Sequence, residues 1–143
     1  MSRIVEQART WLQVPYLHQG RNRFGADCVG FPLGVYAELG VDLPDWRAYG
    51  TEADPDELLR RLRAALGQEI AVEPVPFSAL QPGDILLFRF PKTQSPRHIG
   101  IVSDRATGGF NFIESNGNEG RVIERRLDER YLSRVTHVFR RPV

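Results

Sequence analysis

Residues 28–39, CVGFPLGVYAEL, carry apolar side chains on most sides of a predicted helix. Such a helix is stable in water only when other elements cover it, so we expect it to lie inside the fold. Pro32 is tolerated only near the first turn of a helix, where few backbone donors are missed. The helix should therefore begin at Asp27 or Cys28, with Asp27 as its cap and Gly40 closing its end.

Two further helices are predicted in the first half of the chain. Apolar residues recur at helical spacing after Ser2, which is expected to cap the first of them. Residues 54–67 show a leucine stripe, with Asp54 as the predicted cap and Gly67 as the stop. Helices therefore account for most of the regular structure before position 68.

The second half is predicted to form strands separated by turns. The expected strands cover residues 84–90, 98–104, 110–115, 121–127 and 135–141. A helical half followed by an antiparallel sheet defines an α+β fold. A length of 143 residues suits one domain of ordinary size. We expect residues 1–143 to form a single α+β domain in which N-terminal helices pack on an antiparallel sheet.

Composition excludes several classes of protein. One cysteine cannot form an internal disulfide, and with three histidines it matches no metal-ligand spacing. A net charge of +1 gives no general attraction to nucleic acid or anionic membranes. No apolar run reaches the length of a signal peptide core or a membrane span. We expect no metal, no cofactor, no nucleic-acid partner and no membrane insertion, and synthesis in the cytoplasm without a signal peptide.

Cys28 is a candidate nucleophile because it lies where a buried helix is predicted to begin. A cysteine attacks as its thiolate, which both a helix N-terminus and a histidine partner favour. A lone cysteine is more often a small buried apolar side chain. The catalytic interpretation therefore depends on finding a histidine that the fold can bring to it.

Three histidines are available as the base. His98 begins a predicted strand, and Gly100 on the same strand face is expected to leave room for the helix that carries Cys28. His18 lies in the irregular loop before the cysteine and could line a substrate cleft. His137 lies in the middle of the last strand, where a structural or surface role is expected. His98 is the preferred base.

A third polar group is expected to accept the other N–H of the histidine. The strand that begins at Phe110 should pair with the His98 strand, and Glu114 interrupts the apolar series of Phe110 and Phe112 on one face. Glu114 is therefore the predicted orienting residue, with Asn116 as the alternative.

These motifs resemble those of the NlpC-type cell-wall cysteine peptidases, which have a compact papain-like fold. Residues 27–30, Asp-Cys-Val-Gly, are similar to the family's Asp-Cys-Ser-Gly at the head of a helix. Residues 83–84 match its Gly-Asp before the first core strand, and residues 98–101 its histidine followed by a small residue and Gly-Ile. The resemblance runs from Ala8 to the closing FRRP and is strongest to the version encoded in phage tail and gene-transfer-agent operons.

The resemblance implies hydrolysis of an amide bond in peptidoglycan stem peptides, commonly the link between D-glutamate and a diamino acid. It assigns Cys28 as nucleophile and His98 as base and then acid. Tyr16 and the Cys28 backbone N–H would stabilise the oxyanion, and Asp27 could hold a free amino group of the stem. Packing is the alternative role for Tyr16, and helix capping that for Asp27. The implied partners are phage-like tail proteins, with delivery to the cell wall in a phage-like particle.

Two positions depart from the family pattern. Val29 replaces the motif's serine, and Glu114 stands where the family usually has a histidine. A carboxylate can still accept the hydrogen bond and would raise the pKa of the His98 ring. The departures leave two alternatives open, which are a non-catalytic component of a phage-like tail tip and an acyltransferase or amidase that uses the same pair on a small amide.

Overall fold

The computed structural model describes residues 2–45, 56–90 and 96–143. The helices in these ranges are α1 (Arg3–Arg9), α2 (Gly30–Glu38), α3 (Glu57–Leu66) and α4 (Glu129–Leu132). The strands are β1 (Arg21–Asn22), β2 (Gly25–Ala26), β3 (Gln68–Val72), β4 (Ile85–Phe88), β5 (His98–Asp104), β6 (Phe110–Asn116), β7 (Arg121–Arg126) and β8 (Val135–Arg140). A short 3₁₀ helix covers Phe77–Ala79. None of the helices in the described ranges has the length and apolarity needed to cross a bilayer.

Six strands of the described residues form an antiparallel sheet in the order β3-β8-β4-β5-β6-β7, and β1 pairs with β2 in a separate hairpin. The predicted α+β fold, with helices on an antiparallel sheet, is confirmed. Strand β5 has the predicted bounds and pairs with β6 as expected, so that Ile101 faces Ile113 across the strands. Strand β3 and the β1–β2 hairpin are not among the elements that the sequence predicts.

Helices α1, α2 and α3 cover one face of the sheet and enclose the larger apolar core there. Phe31 of α2 is fully buried and its ring lies 6.0 Å from that of Trp11 in an edge-on contact. From the sheet, Leu87, Ile99 and Ile101 point into the same core. Helix α2 is therefore buried on most sides, as its composition predicts. We call this side the helix face.

The opposite face of the sheet holds a second apolar cluster, which includes Leu86, Phe88, Val102 and Phe112. Side chains from α4 and from the segment before β4 cover it, Leu132 and Leu80 among them. The rings of Phe88 and Phe112 pack 5.2 Å apart at its centre. We call this side the aromatic face.

Gly100 shows that one expectation from the sequence is wrong. A Cβ at this position would lie 3.0 Å from Cδ2 of Phe112 and 3.2 Å from Cε2 of Phe88. The space beside Gly100 is thus filled by two phenylalanine rings on the aromatic face. The helix that follows Cys28 packs on the other side of the sheet, so Gly100 serves ring packing rather than helix approach.

Asp27 caps the turn that leads into α2, as predicted. Its Oδ1 accepts hydrogen bonds from the backbone N–H groups of Val29 at 3.1 Å and Gly30 at 2.8 Å. The backbone N–H of Phe31 donates to the Asp27 carbonyl at 3.0 Å. The regular helix starts at Gly30, slightly later than predicted, and Pro32 falls in its first turn.

The other helix ends agree with the sequence where they are described. Ser2 caps α1, since its hydroxyl accepts from the N–H of Val5 at 3.3 Å. Gly67 follows the last residue of α3 with a φ of +75°, a conformation that favours glycine. The predicted cap of α3, Asp54, lies outside the described residues.

Candidate active site

Cys28 lies in the turn that leads into α2 and packs, partly exposed, at the margin of the helix-face core. Its Sγ is 3.7 Å from the carbonyl oxygen of Arg97, the residue that precedes β5. The cap formed by Asp27 fixes the backbone on the C-terminal side of the cysteine. The thiol is therefore held at the point where β5 begins.

His98 is the first residue of β5 and its side chain belongs to the aromatic face. The ring lies 5.8 Å from that of Phe88 and 5.6 Å from that of Phe90. Its Nε2 is 2.7 Å from Oε1 of Glu114. The Cys28 thiol lies close enough to the ring to contribute to its pKa through hydrogen bonding and charge. The structure thus brings the three predicted catalytic residues together.

The environment of His98 favours its protonated form. Burial alone would lower the pKa of the ring, but the hydrogen bonds and charges of Cys28 and Glu114 outweigh burial and raise it to about 9. At neutral pH the ring is an imidazolium that lies between a sulfur and a carboxylate. An imidazolium is the group that generally activates a cysteine nucleophile in thiol hydrolases.

Glu114 is 3 % exposed. Burial would raise the pKa of its carboxyl, but hydrogen bonding to His98 and the charges of His98 and Arg125 outweigh burial and lower it. Asn116 donates from Nδ2 to Oε1 at 3.0 Å. Of the two predicted orienting residues, Glu114 therefore contacts the histidine and Asn116 supports Glu114.

Arg125 and Tyr131 are neighbours of this site that the sequence interpretation missed. Arg125 Nε lies 2.9 Å from Oε2 of Glu114, as an ion pair without the alignment of a hydrogen bond. Its Nη1 donates to the Tyr131 hydroxyl at 2.6 Å. A signal was available, since antiparallel pairing places Arg125 opposite Phe112, diagonal to Glu114 on the same face.

Asp27 is 2 % exposed and its carboxylate is occupied by several donors. Besides the two N–H groups at the start of α2, Oδ2 accepts from the backbone N–H of Gln19 at 2.8 Å. Oδ1 lies 3.1 Å from Nη1 of Arg21. The capping role is confirmed. Binding of a substrate amino group stays a prediction, and the amino group would have to replace one of these partners of the carboxylate.

Tyr16 lies close to the thiol and to Asp27. Burial, with smaller contributions from the negative charges of Cys28 and Asp27, raises the pKa of its hydroxyl, which therefore stays a hydrogen-bond donor at neutral pH. The ring lies over Gly117, where a Cβ would be 3.6 Å from Tyr16 Cζ. Its role at the oxyanion stays a prediction. Val29 is 5 % exposed and packs in the helix-face core.

The two other histidines have different surroundings from His98. His137 is half-buried on β8, and its Nδ1 lies 2.8 Å from the hydroxyl of Thr136. Burial lowers the pKa of its ring. This environment agrees with the predicted structural role. His18 is exposed in the loop before β1, and its place in a substrate cleft stays a prediction.

A profile of the NlpC/P60 family matches residues 13–141. The chain belongs to the NlpC/P60 family. The resemblance seen in the residues around Cys28 and His98 is thereby confirmed at the level of the family, which is one of cysteine peptidases that act on peptidoglycan.

Curated relatives carry the names of peptidases. A murein DD-endopeptidase/murein LD-carboxypeptidase of Escherichia coli is 29% identical over 123 residues, which cover 85% of this chain and 53% of the relative. A gamma-D-glutamyl-L-lysine dipeptidyl-peptidase of Bacillus subtilis is 26% identical over 122 residues, which cover 85% of this chain and 33% of the relative. The NlpC/P60 chain thus spans about half the length of the first relative and a third of the second.

The fold recurs in a solved structure of the family. An NlpC/P60 family protein from Bacillus cereus superposes with a TM-score of 0.68 over 99% of this chain and 40% of its own, at 22% sequence identity. This likeness concerns the backbone fold, which both proteins share.

Proposed function

We propose that this NlpC/P60 chain hydrolyses an amide bond in peptidoglycan stem peptides through Cys28. The observation that carries the proposal is the position of His98, whose ring interacts with the Cys28 thiol while its Nε2 lies 2.7 Å from the Glu114 carboxylate. A nucleophile, a base and a group that orients the base are the parts that covalent amide hydrolysis requires.

The proposed reaction proceeds through a thioester. The Cys28 thiolate attacks the carbonyl carbon, and the negative charge on oxygen is stabilised by the Cys28 backbone N–H and the Tyr16 hydroxyl. His98 gives its proton to the amine nitrogen as the C–N bond breaks and the amine leaves. Water then attacks the thioester, His98 takes its proton, and the sulfur leaves as thiolate. Glu114 keeps the ring oriented throughout.

The bond that we propose is the one between D-glutamate and the diamino acid of the stem. Support comes from the name of the Bacillus subtilis relative, a gamma-D-glutamyl-L-lysine dipeptidyl-peptidase. The Escherichia coli relative is named differently, as a murein DD-endopeptidase and murein LD-carboxypeptidase. The products must therefore be identified by mass rather than by loss of turbidity.

The test is digestion of purified peptidoglycan muropeptides, followed by mass spectrometry of the fragments. The wild type should release fragments ending in D-glutamate, whereas Cys28→Ala and Cys28→Ser should release none above background. If either folded variant released these fragments, Cys28 would not be the nucleophile. A folded wild type that releases nothing would favour the structural tail component, and transfer of the acyl group to an added amine would favour the acyltransferase.

We also propose that the chain reaches the cell wall in a phage-like particle, with tail proteins as partners. The support is the sequence resemblance to the phage tail and gene-transfer-agent version. Proteomics of particles purified from a strain that carries the gene should detect the chain together with tail proteins. Its absence from such particles would remove the delivery route and leave the proposed hydrolysis untouched.

A further inference from the structure

The side chains that hold His98 continue beyond Glu114 to a residue without a role in the proposed chemistry. We propose that Arg125 is a positioning residue that acts on the reaction through Glu114, by holding its carboxylate charged and directed at His98. The inference rests on the proposed function, because it concerns the same catalytic groups.

The two oxygens of Glu114 have different partners. Oε1 lies 2.7 Å from Nε2 of His98 and accepts from Nδ2 of Asn116 at 3.0 Å. Oε2, by contrast, has no hydrogen-bond partner among the described residues, and its ionic contact is Arg125 Nε at 2.9 Å. Arg125 therefore determines which way the second oxygen points, and with it the plane of the carboxylate that faces the histidine.

Charge balance gives Arg125 a second effect. A buried carboxylate is costly unless it is paired. A buried acid and a buried imidazole can lower that cost by sharing one proton and becoming neutral together. A permanent guanidinium beside Glu114 opposes that outcome, because it stabilises the carboxylate and not the neutral acid. The proton of the pair is then kept on His98, where the proposed reaction needs it.

Arg125 is itself held in place. Its Nη1 donates to the Tyr131 hydroxyl at 2.6 Å, and its guanidinium lies 5.5 Å from the centre of the Tyr131 ring. Tyr131 in turn packs edge-on against Phe112 at 5.3 Å. The side chain of Arg125 is 28 % exposed, so solvent screens part of its charge and its effect should be moderate.

A cavity of about 280 Å³ adjoins these groups. The charged and titratable side chains that line it come from β5, β6, β7, α4 and the loops beside them, and they are His98, Glu114, Glu119, Arg125, Tyr131 and Arg134. Cys28 does not line this cavity, but its thiol also raises the pKa of His98. Arg125 is the member of this set that is ion-paired to Glu114, so its removal should alter Glu114 most directly.

The test compares Arg125→Gln with Arg125→Lys and uses Arg126→Gln as the matched control, since Arg126 is an exposed neighbour on the same strand. In Arg125→Gln the acid limb of muropeptide release should move to higher pH by about one pH unit, because an adjacent opposite charge has been lost. Arg125→Lys should restore most of that shift, and Arg126→Gln should match the wild type. The inference would be overturned if the pH profile of Arg125→Gln had the same acid and alkaline limbs as the wild type while only the rate or the Tm of the variant was lower.

A second readout does not require turnover. The carboxyl ¹³C resonance of Glu114, assigned by its absence from Glu114→Gln, should titrate at higher pH in Arg125→Gln than in the wild type. This shift is expected even if the chain releases no muropeptides, so failure of the proposed function and failure of the inference are distinguishable. If Arg125→Gln does not fold, Tyr131→Phe replaces it, because Tyr131 holds the Arg125 guanidinium. Tyr131→Phe should give a smaller shift in the same direction, and an unshifted resonance in this variant would overturn the inference.

Discussion

The helix face and the aromatic face of the sheet are built differently and supply different parts of the site. On the helix face, α1, α2 and α3 bring aliphatic and aromatic side chains into one large core, with Cys28 at its margin. On the aromatic face, a smaller cluster surrounds Phe88 and Phe112, and a cavity beside it contains charged side chains. His98 and Glu114 belong to this second face.

This arrangement explains how a thiol and an imidazole from opposite faces of one sheet come into contact. The contact occurs where β5 begins, since the Cys28 sulfur lies 3.7 Å from the carbonyl oxygen of Arg97, the residue before His98. Packing on the helix face positions the sulfur, whereas charge and hydrogen bonding on the aromatic face position the ring. Substitutions on the helix face should therefore act mainly on stability, and polar substitutions on the aromatic face mainly on pH dependence.

The largest effect should come from truncation in the helix-face core. Phe31 is fully buried, so Phe31→Ala should lower the free energy of unfolding by about 3–5 kcal/mol, measured by chemical denaturation. The matched control is Phe24→Ala, since Phe24 is 91% exposed and its loss should change stability by less than about 0.5 kcal/mol. Equal costs for the two variants would contradict the assignment of the main core to this face.

A smaller loss is expected from overpacking the aromatic face. Gly100→Ala would place a Cβ 3.0 Å from the Phe112 ring and should destabilise the protein by about 1–3 kcal/mol in the same denaturation experiment. At Gly117 a Cβ would meet Tyr16 at an ordinary 3.6 Å, so Gly117→Ala is the matched control. If Gly100→Ala were as stable as the control, the two rings would not limit packing on this face.

The third prediction concerns the pH dependence set by Glu114. The pKa of His98 is raised to about 9, so the imidazolium is lost, and activity with it, as pH rises through that value. The stabilisation that its proton provides is present in full below pH 6.5 and is lost over the same rise. In Glu114→Gln the alkaline limb of the pH profile of muropeptide release should therefore move to lower pH, by about one pH unit or more.

Glu119→Gln is the control for this substitution, since Glu119 is an exposed carboxylate that lines the same cavity. Its alkaline limb should coincide with that of the wild type. If the alkaline limb of Glu114→Gln coincided with that of the wild type, the Glu114 carboxylate would not stabilise the protonated form of His98.

The smallest effect should come from the hydrogen bond between β6 and the segment before Cys28. The buried hydroxyl of Ser115 donates to the Ala26 carbonyl at 2.7 Å, so Ser115→Ala should cost about 1 kcal/mol. Ser133→Ala removes a hydroxyl from an exposed turn and should be nearly neutral in the same thermal or chemical unfolding experiment. A neutral Ser115→Ala would show that this bond does not help to hold the segment before Cys28 against β6.

Much of the fold could be predicted because its signals are local. Strand β5 and the start of α1 follow from alternation and capping within a few residues of each position. Strand β3 lacks such a signal because it is an edge strand with mostly exposed or half-exposed side chains. The β1–β2 hairpin has polar and glycine residues, and its two backbone pairs depend on contacts with the rest of the chain.

The sequence predicted those site residues whose position within a helix or strand marks them out. Cys28, His98 and Glu114 each stand at a recognisable place in an element, and the register of β5 with β6 brings the last two together. Arg125 was missed because its importance depends on the diagonal neighbour across β6 and β7 and on the twist of the sheet. The purpose of Gly100 was misjudged because sequence alone does not show which face a helix will cover.

Asp27 has a consequence for how the specificity of such a chain can change. One carboxylate joins the loop at Gln19, the guanidinium of Arg21 and the first N–H groups of α2, so the nucleophile's position depends on a residue that cannot be replaced freely. Phe24, at the tip of the nearby hairpin, is by contrast an exposed side chain. Evolution or engineering can therefore replace the Phe24 side chain to meet a new substrate without moving the sulfur.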